Sequence, residues 1–165
     1  MFRAMVKGWF RKSRTVYNGF IKALLADDIK AMNHYMNQVA LASFSSFDAG
    51  NRPSQAVEPE RFYHGFVLGL LVELSDRYVV TSNRESGFGR YDVMPEPRRE
   101  DDGIILEFKV QDQEEEKALS DTVKAALEQI EKKKYKTALV EKGILQGKIR
   151  KYGFAFCGQE VLIGR

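Results

Sequence analysis

Residues 104–110 read Ile104-Ile-Leu-Glu-Phe-Lys-Val110, and a shorter stretch of similar character, Tyr91-Asp-Val-Met94, precedes them. Both are rich in β-branched, aromatic and long apolar residues and predict strands. Strand side chains alternate faces, so Glu107 and Lys109 project together while Leu106, Phe108 and Val110 project oppositely. A charged pair on one face of an apolar strand is costly to bury. It persists if that face is wet or if a cation neutralises the carboxylate. Pro95 and Pro97 are expected to end the first strand, and the charged residues 98–102 with Gly103 to turn the chain. A hairpin of the two strands would set Asp92 beside Glu107.

Outward from this hairpin, Arg77-Tyr-Val-Val-Thr-Ser82 predicts another strand and Ser86-Gly-Phe-Gly-Arg90 a turn. Phe62, Tyr63, Phe66, Val67, Leu70, Leu71 and Leu74 step along one face of a helix over about 60–76. Leu119, Thr122, Val123, Ala126, Leu127 and Ile130 do so over about 114–133. Tyr152-Gly-Phe-Ala-Phe-Cys157 and Glu160-Val-Leu-Ile163 predict a terminal strand pair around Gly158. The order is helix, three strands, helix, one or two strands, which implies an α/β fold with helices on a mixed sheet. Residues 1–50 read as a helical arm, with Phe20, Ile21, Leu24 and Leu25, then Ile29, Met32, Tyr35, Met36, Val39 and Ala40, at helical spacing. Asp48-Ala-Gly-Asn-Arg-Pro-Ser-Gln-Ala56 is a loop by composition and separates the arm from a domain over 55–165.

Composition bounds the function. With 165 residues, 44% hydrophobic and 30% charged, the chain can bury a core without staples. A net charge of +3 permits nucleic-acid binding without demanding it. The single cysteine, Cys157, excludes an internal disulfide and any multi-cysteine zinc site, and reads as a buried, inert thiol. His34 and His64 are the only histidines, too few for a histidine-rich metal centre. Lys7, Arg11 and Lys12 interrupt the apolar residues near the start, and Phe62–Val72 has about half the roughly 20 residues that a membrane helix needs. No membrane association and a cytoplasmic location are therefore expected. Gly143-x-x-x-Gly-Lys148 is one residue short of a Walker A loop and continues with Ile149 where Ser or Thr is required, so ATP hydrolysis is not expected.

The Asp92–Glu107 pair carries the chemistry. Two close carboxylates repel, and a hard cation such as Mg²⁺ or Mn²⁺ relieves the repulsion through oxygen ligands. Such an ion polarises a phosphodiester and lowers the pKa of bound water. Lys109 would orient the attacking water or stabilise charge on the scissile phosphate.

Asp92 followed by Glu107-x-Lys109 in this element order resembles the PD-(D/E)XK nuclease superfamily. Glu60-Arg-Phe-Tyr-His-Gly-Phe66, Ser82-Asn-Arg-Glu-Ser-Gly-Phe-Gly-Arg-Tyr-Asp92, Ala125-Ala-Leu-Glu-Gln-Ile130 with Lys133-Lys-Tyr135, and Lys151-Tyr-Gly-Phe-Ala-Phe156 extend the likeness. They resemble the C-terminal nuclease-like domain, formerly of unknown function, of bacterial AAA-ATPase-like proteins. The resemblance implies a restriction-endonuclease-like core and Mg²⁺- or Mn²⁺-dependent cleavage of nucleic acid, DNA in particular. It implies Asp92 and Glu107 as metal ligands, Glu60 as an acidic residue holding metal through water, Lys109 as the catalytic lysine, and Gln129 as a supporting polar residue. It also brings an ATPase-like partner and a homodimer into view. Tyr91 stands where the superfamily name has proline.

Blander readings accompany these. Glu107 and Lys109 also fit an ion pair on an edge strand, Glu60 a first-turn helix residue favoured by the dipole, and His64 and Gln129 structural hydrogen bonding. Lys132-Lys-Lys-Tyr-Lys136 and Lys148-Ile-Arg-Lys151 fit either a phosphate-tracking surface or solvated element ends. A different class of function, a catalytically silent module docking to an ATPase-like partner, also fits, motivated by the apolar stripe of the arm.

Overall fold

The computed structural model describes residues 14–47, 65, 68–69, 71–72, 74–84 and 91–165. By contacts the chain divides into two units, Met1–Asn51 and Arg52–Arg165. The first contains helices α1 (Arg14–Leu25) and α2 (Ile29–Phe47). The break between them is local chemistry: Asp27 adopts a left-handed φ of 56°, and the Asp28 carboxylate accepts the Ala31 N–H at 3.0 Å, capping α2. Phe20, Leu24, Met32 and Met36 are fully buried, as helical spacing predicts. Among the described residues, no helix is long and apolar enough to cross a membrane.

The second unit is built on strands β1 (Tyr78–Arg84), β2 (Tyr91–Pro97), β3 (Gly103–Val110), β4 (Ile149–Cys157) and β5 (Glu160–Gly164). They form one mixed sheet in that order, with β3 and β4 parallel and the other neighbours antiparallel. The β3–β4 crossover carries α3 (Leu119–Lys132) and α4 (Tyr135–Glu141), as parallel pairing requires. β3 is thus a central strand, which overturns the edge-strand reading of Glu107 and Lys109.

Phe108 lies 4.8 Å from Phe154 and stacks at 6.0 Å on Phe156, building the core on one face of the sheet. The other face of β3 contributes Ile105 to a cluster with Ile130, Leu139 and Ile149, against which Met94, Leu127, Tyr135 and Ile144 pack. Glu107 and Lys109 share this second face by alternation.

Several boundaries differ from the sequence reading. β2 runs through both prolines to Pro97. Arg98 N–H donates to Arg77 O at 2.7 Å, which sets the alternation of β2. Even-numbered residues turn their backbone groups toward β1, and Pro95 and Pro97 turn theirs toward β3, beyond the last β2–β3 partners, Val93 and Leu106. The missing proline N–H therefore costs no ladder bond. The helix expected from 114 begins only at Leu119, because Glu115 and Glu116 N–H close a turn on Asp112 O at 3.2 and 2.7 Å. Asp121 caps the start of α3 by accepting the Lys117 and Ala118 N–H groups at 3.2 and 3.0 Å. Of the helix expected over 60–76, residues 65, 68–69 and 71–72 are helical and 74–77 form a turn; its other residues, and the turn at 86–90, lie outside the described residues.

Candidate active site

Asp92 on β2 and Glu107 on β3 are direct cross-strand partners. The alternation of β2 makes theirs a non-hydrogen-bonded pair, the kind in which facing side chains stand closest. Both residues are 1% exposed, so the face is not wet. Two carboxylates sealed from water at this range cannot persist without opposing charge. The chain supplies it: Lys133 Nζ lies 3.2 Å from Asp92 Oδ2 and 3.4 Å from Glu107 Oε1. The Tyr135 hydroxyl donates to the same Asp92 oxygen, and Lys133 Nζ sits 5.5 Å from the centre of the Tyr135 ring. Burial, reinforced by the hydrogen bond to Asp92 and its charge, pushes the Tyr135 hydroxyl well above the usual tyrosine range, so it stays a donor.

The backbone between α3 and α4 explains how two residues two apart reach one carboxylate. In a continuous helix, positions 133 and 135 would point about 200° apart. Lys134 instead takes φ 54°, ψ 26°, the left-handed region that costs a non-glycine residue about 1–2 kcal/mol. The reversal lets Lys133 close α3 and Tyr135 open α4 against the same group. Sequence reasoning missed both side chains as members of the site.

Lys109 lies on the same face as Glu107 but bonds Glu116, which the sequence reading also missed. Glu116 is fixed in turn: its Oε2 accepts from Thr122 Oγ1 at 2.6 Å and from the Asp112 N–H at 3.1 Å. Burial pushes the Glu116 carboxyl up, yet the hydrogen bonds from Lys109, Thr122 and Asp112 outweigh it and hold the group below the ordinary glutamate range. A depressed folded pKa stabilises the fold above the unfolded value, about 4.3, and that contribution disappears as pH falls through the folded value. In Glu116→Gln the contribution is absent at every pH. Thermal unfolding from pH 7 to 3 should therefore show the wild-type advantage over Glu116→Gln narrowing below about pH 4; a constant gap would show that the carboxylate adds nothing.

Gln129 is partly buried on α3, one turn before Lys133 on the same side of the helix, and its main-chain carbonyl accepts the Lys133 N–H at 3.1 Å. Glu60 and His64 lie outside the described residues. Within Lys148-Ile-Arg-Lys151, Arg150 pairs with Asp102 at 3.0 Å and Lys151 with Glu131, so both belong to local ion pairs. Cys157 is partly exposed rather than buried, and its Sγ accepts from Gln113 Nε2 at 3.4 Å. It ends β4, where the core face has run out.

The donor chemistry of Asp92 and Glu107 suits a hard divalent cation, since both offer carboxylate oxygens and their position already accommodates positive charge. Among the described residues, no group of three or more His, Cys, Asp or Glu could hold a metal ion. Of the described residues, the pair would thus be the anchor there, leaving coordination positions for other ligands.

Residues 58–165 match a family model described as the PD-(D/E)XK nuclease superfamily. No curated protein and no solved structure was found to match. The matched span contains both carboxylates, Lys109, Glu116, Gln129, Lys133 and Tyr135. It supports nuclease-type chemistry in general, and nucleases of this superfamily generally use divalent metal ions.

Proposed function

The chain belongs to the PD-(D/E)XK nuclease superfamily, and from that premise we propose that it cleaves phosphodiester bonds in DNA with Mg²⁺ or Mn²⁺. The observation that carries this reading is the register of Asp92 against Glu107 on the central strands, both sealed from water, with Lys109 further along the same face. Asp92 and Glu107 would hold the ion, with Glu60 as the further acidic residue. A divalent ion bound there supplies Lewis-acid chemistry toward the phosphodiester. Lys109, held in place by Glu116, orients the attacking water or offsets charge on the phosphate. Gln129 supports the site from α3.

A catalytically silent module is the second reading, and one observation favours it: the Lys133 ammonium already pairs with both carboxylates. That module would dock to an ATPase-like partner.

Cleavage assays on linear duplex DNA, closed-circular DNA and single-stranded RNA separate the readings. The expected result is degradation of DNA in Mg²⁺ or Mn²⁺ and none in chelator, with Mn²⁺ binding visible by calorimetry. Cleavage of RNA alone would correct the substrate. Absence of both cleavage and binding, with DNA present, would leave the silent module.

A further inference from the structure

Lys133 has no role in a two-carboxylate metal site, yet the fold goes out of its way to place it there. Its side chain is 11% exposed, its Nζ reaches one oxygen of each carboxylate at 3.2 and 3.4 Å, and the left-handed Lys134 aims it together with Tyr135. An ammonium within hydrogen-bonding reach of both carboxylates and a divalent ion held by the same pair would be like charges in a poorly screened place. The two compete for the pair.

We propose that Lys133 is the built-in counter-cation of the Asp92–Glu107 pair and that a divalent ion must displace it to bind. The inference rests on the reading of this pair as a metal site and adds its regulation. Without metal, the ammonium holds the carboxylates together and closes the site. On metal binding, the ion takes over charge neutralisation with two charges instead of one, and the Lys133 side chain swings out toward solvent, where the neighbouring Lys132 and Lys134 are already exposed. Lys133 thereby sets a threshold of metal concentration for activation. Tyr135 keeps its hydroxyl on Asp92 through the exchange, because a phenol donates to a carboxylate oxygen whichever cation lies on its other side.

Lys133→Met keeps most of the side-chain volume and removes the charge. In chelator it should melt below the wild type, since two buried carboxylates lose an opposing charge. Calorimetry should show it binding Mn²⁺ at least about tenfold more tightly, because no ammonium competes. Mn²⁺ should also raise its melting temperature more than that of the wild type. A second measurement needs no variant. Reductive methylation of the wild-type protein, read by peptide mass spectrometry, should leave the Lys133 amine protected in chelator and modify it at saturating Mn²⁺. Equal or weaker Mn²⁺ affinity in Lys133→Met, or a Lys133 amine equally protected with and without bound Mn²⁺, overturns the displacement while leaving the metal site intact. Absence of Mn²⁺ binding in both proteins overturns the metal site and the displacement with it.

Discussion

Glu107→Gln is expected to abolish measurable Mn²⁺ binding and to lower DNA cleavage roughly a thousandfold, the effect of losing several kcal/mol of transition-state stabilisation. The substitution keeps the shape of a side chain that is 1% exposed and removes only its charge. Lys133 Nζ, 3.2 Å from Asp92 Oδ2, then has one negative charge fewer beside it, and less negative charge is left to attract a dication. Asp92→Asn should act in the same direction, with an added cost because Asp92 Oδ2 also accepts the Tyr135 hydroxyl. Folding is expected to survive Glu107→Gln, since Lys133 keeps one carboxylate partner and an amide oxygen still accepts a hydrogen bond. The measurement is calorimetric Mn²⁺ titration beside single-turnover cleavage, with circular dichroism to establish the fold. Full cleavage by Glu107→Gln would remove Glu107 from the chemistry and reduce the pair to a structural ion cluster.

The pairing of β2 with β3, and with it the meeting of Asp92 and Glu107, was legible because strand alternation is a strict period and the two stretches lie a short turn apart. The α/β class followed from the order of elements. Lys133 and Tyr135 were not legible. They sit in Lys132-Lys-Lys-Tyr-Lys136, a run whose composition describes a solvated helix end, and only the left-handed turn at Lys134 points two of its members inward. A glycine there would have signalled such a turn; a lysine gives no sign of it. Glu116 was hidden for a related reason. It belongs to Glu114-Glu-Glu116, which reads as the first turn of a helix, whereas the turn over 112–116 delays α3 and frees that carboxylate to reach Lys109. The prolines of β2 misled in the opposite sense, since their effect depends on which neighbour each backbone nitrogen faces.

Gly153→Val is expected to destabilise the nuclease-like unit by about 3 kcal/mol, at the upper end of ordinary overpacking. That corresponds to a fall in melting temperature of roughly 10–20 °C for a unit near 100 residues. Gly153 is the β4 partner of Glu107, and α3 crosses the sheet directly over it. A Cβ at Gly153 would stand 2.8 Å from the Val123 carbonyl oxygen and 3.1 Å from Ala126 Cβ. The first contact is with helix backbone, so no rotamer change relieves it, and α3 must lift from β4. Gly164, the β5 partner of Gly153, faces the Val123 side chain instead, 2.6 Å from its Cγ1; that contact can yield by rotation, so Gly164→Ala should cost less. Gly147→Ala meets nothing within 4 Å and serves as the control, with a change within about 0.5 kcal/mol. Thermal unfolding of the three variants checks the ranking, and equal melting temperatures for Gly153→Val and Gly147→Ala would refute the close approach of α3. The consequence reaches the site because Lys133 closes α3 and Tyr135 follows two residues later. A helix lifted at Val123 pulls its far end from the carboxylates, so Gly153→Val should also weaken the hold of Lys133 on Asp92 and Glu107. The flat patch at Gly153 is therefore what lets a helix end serve two carboxylates on the strands beneath it.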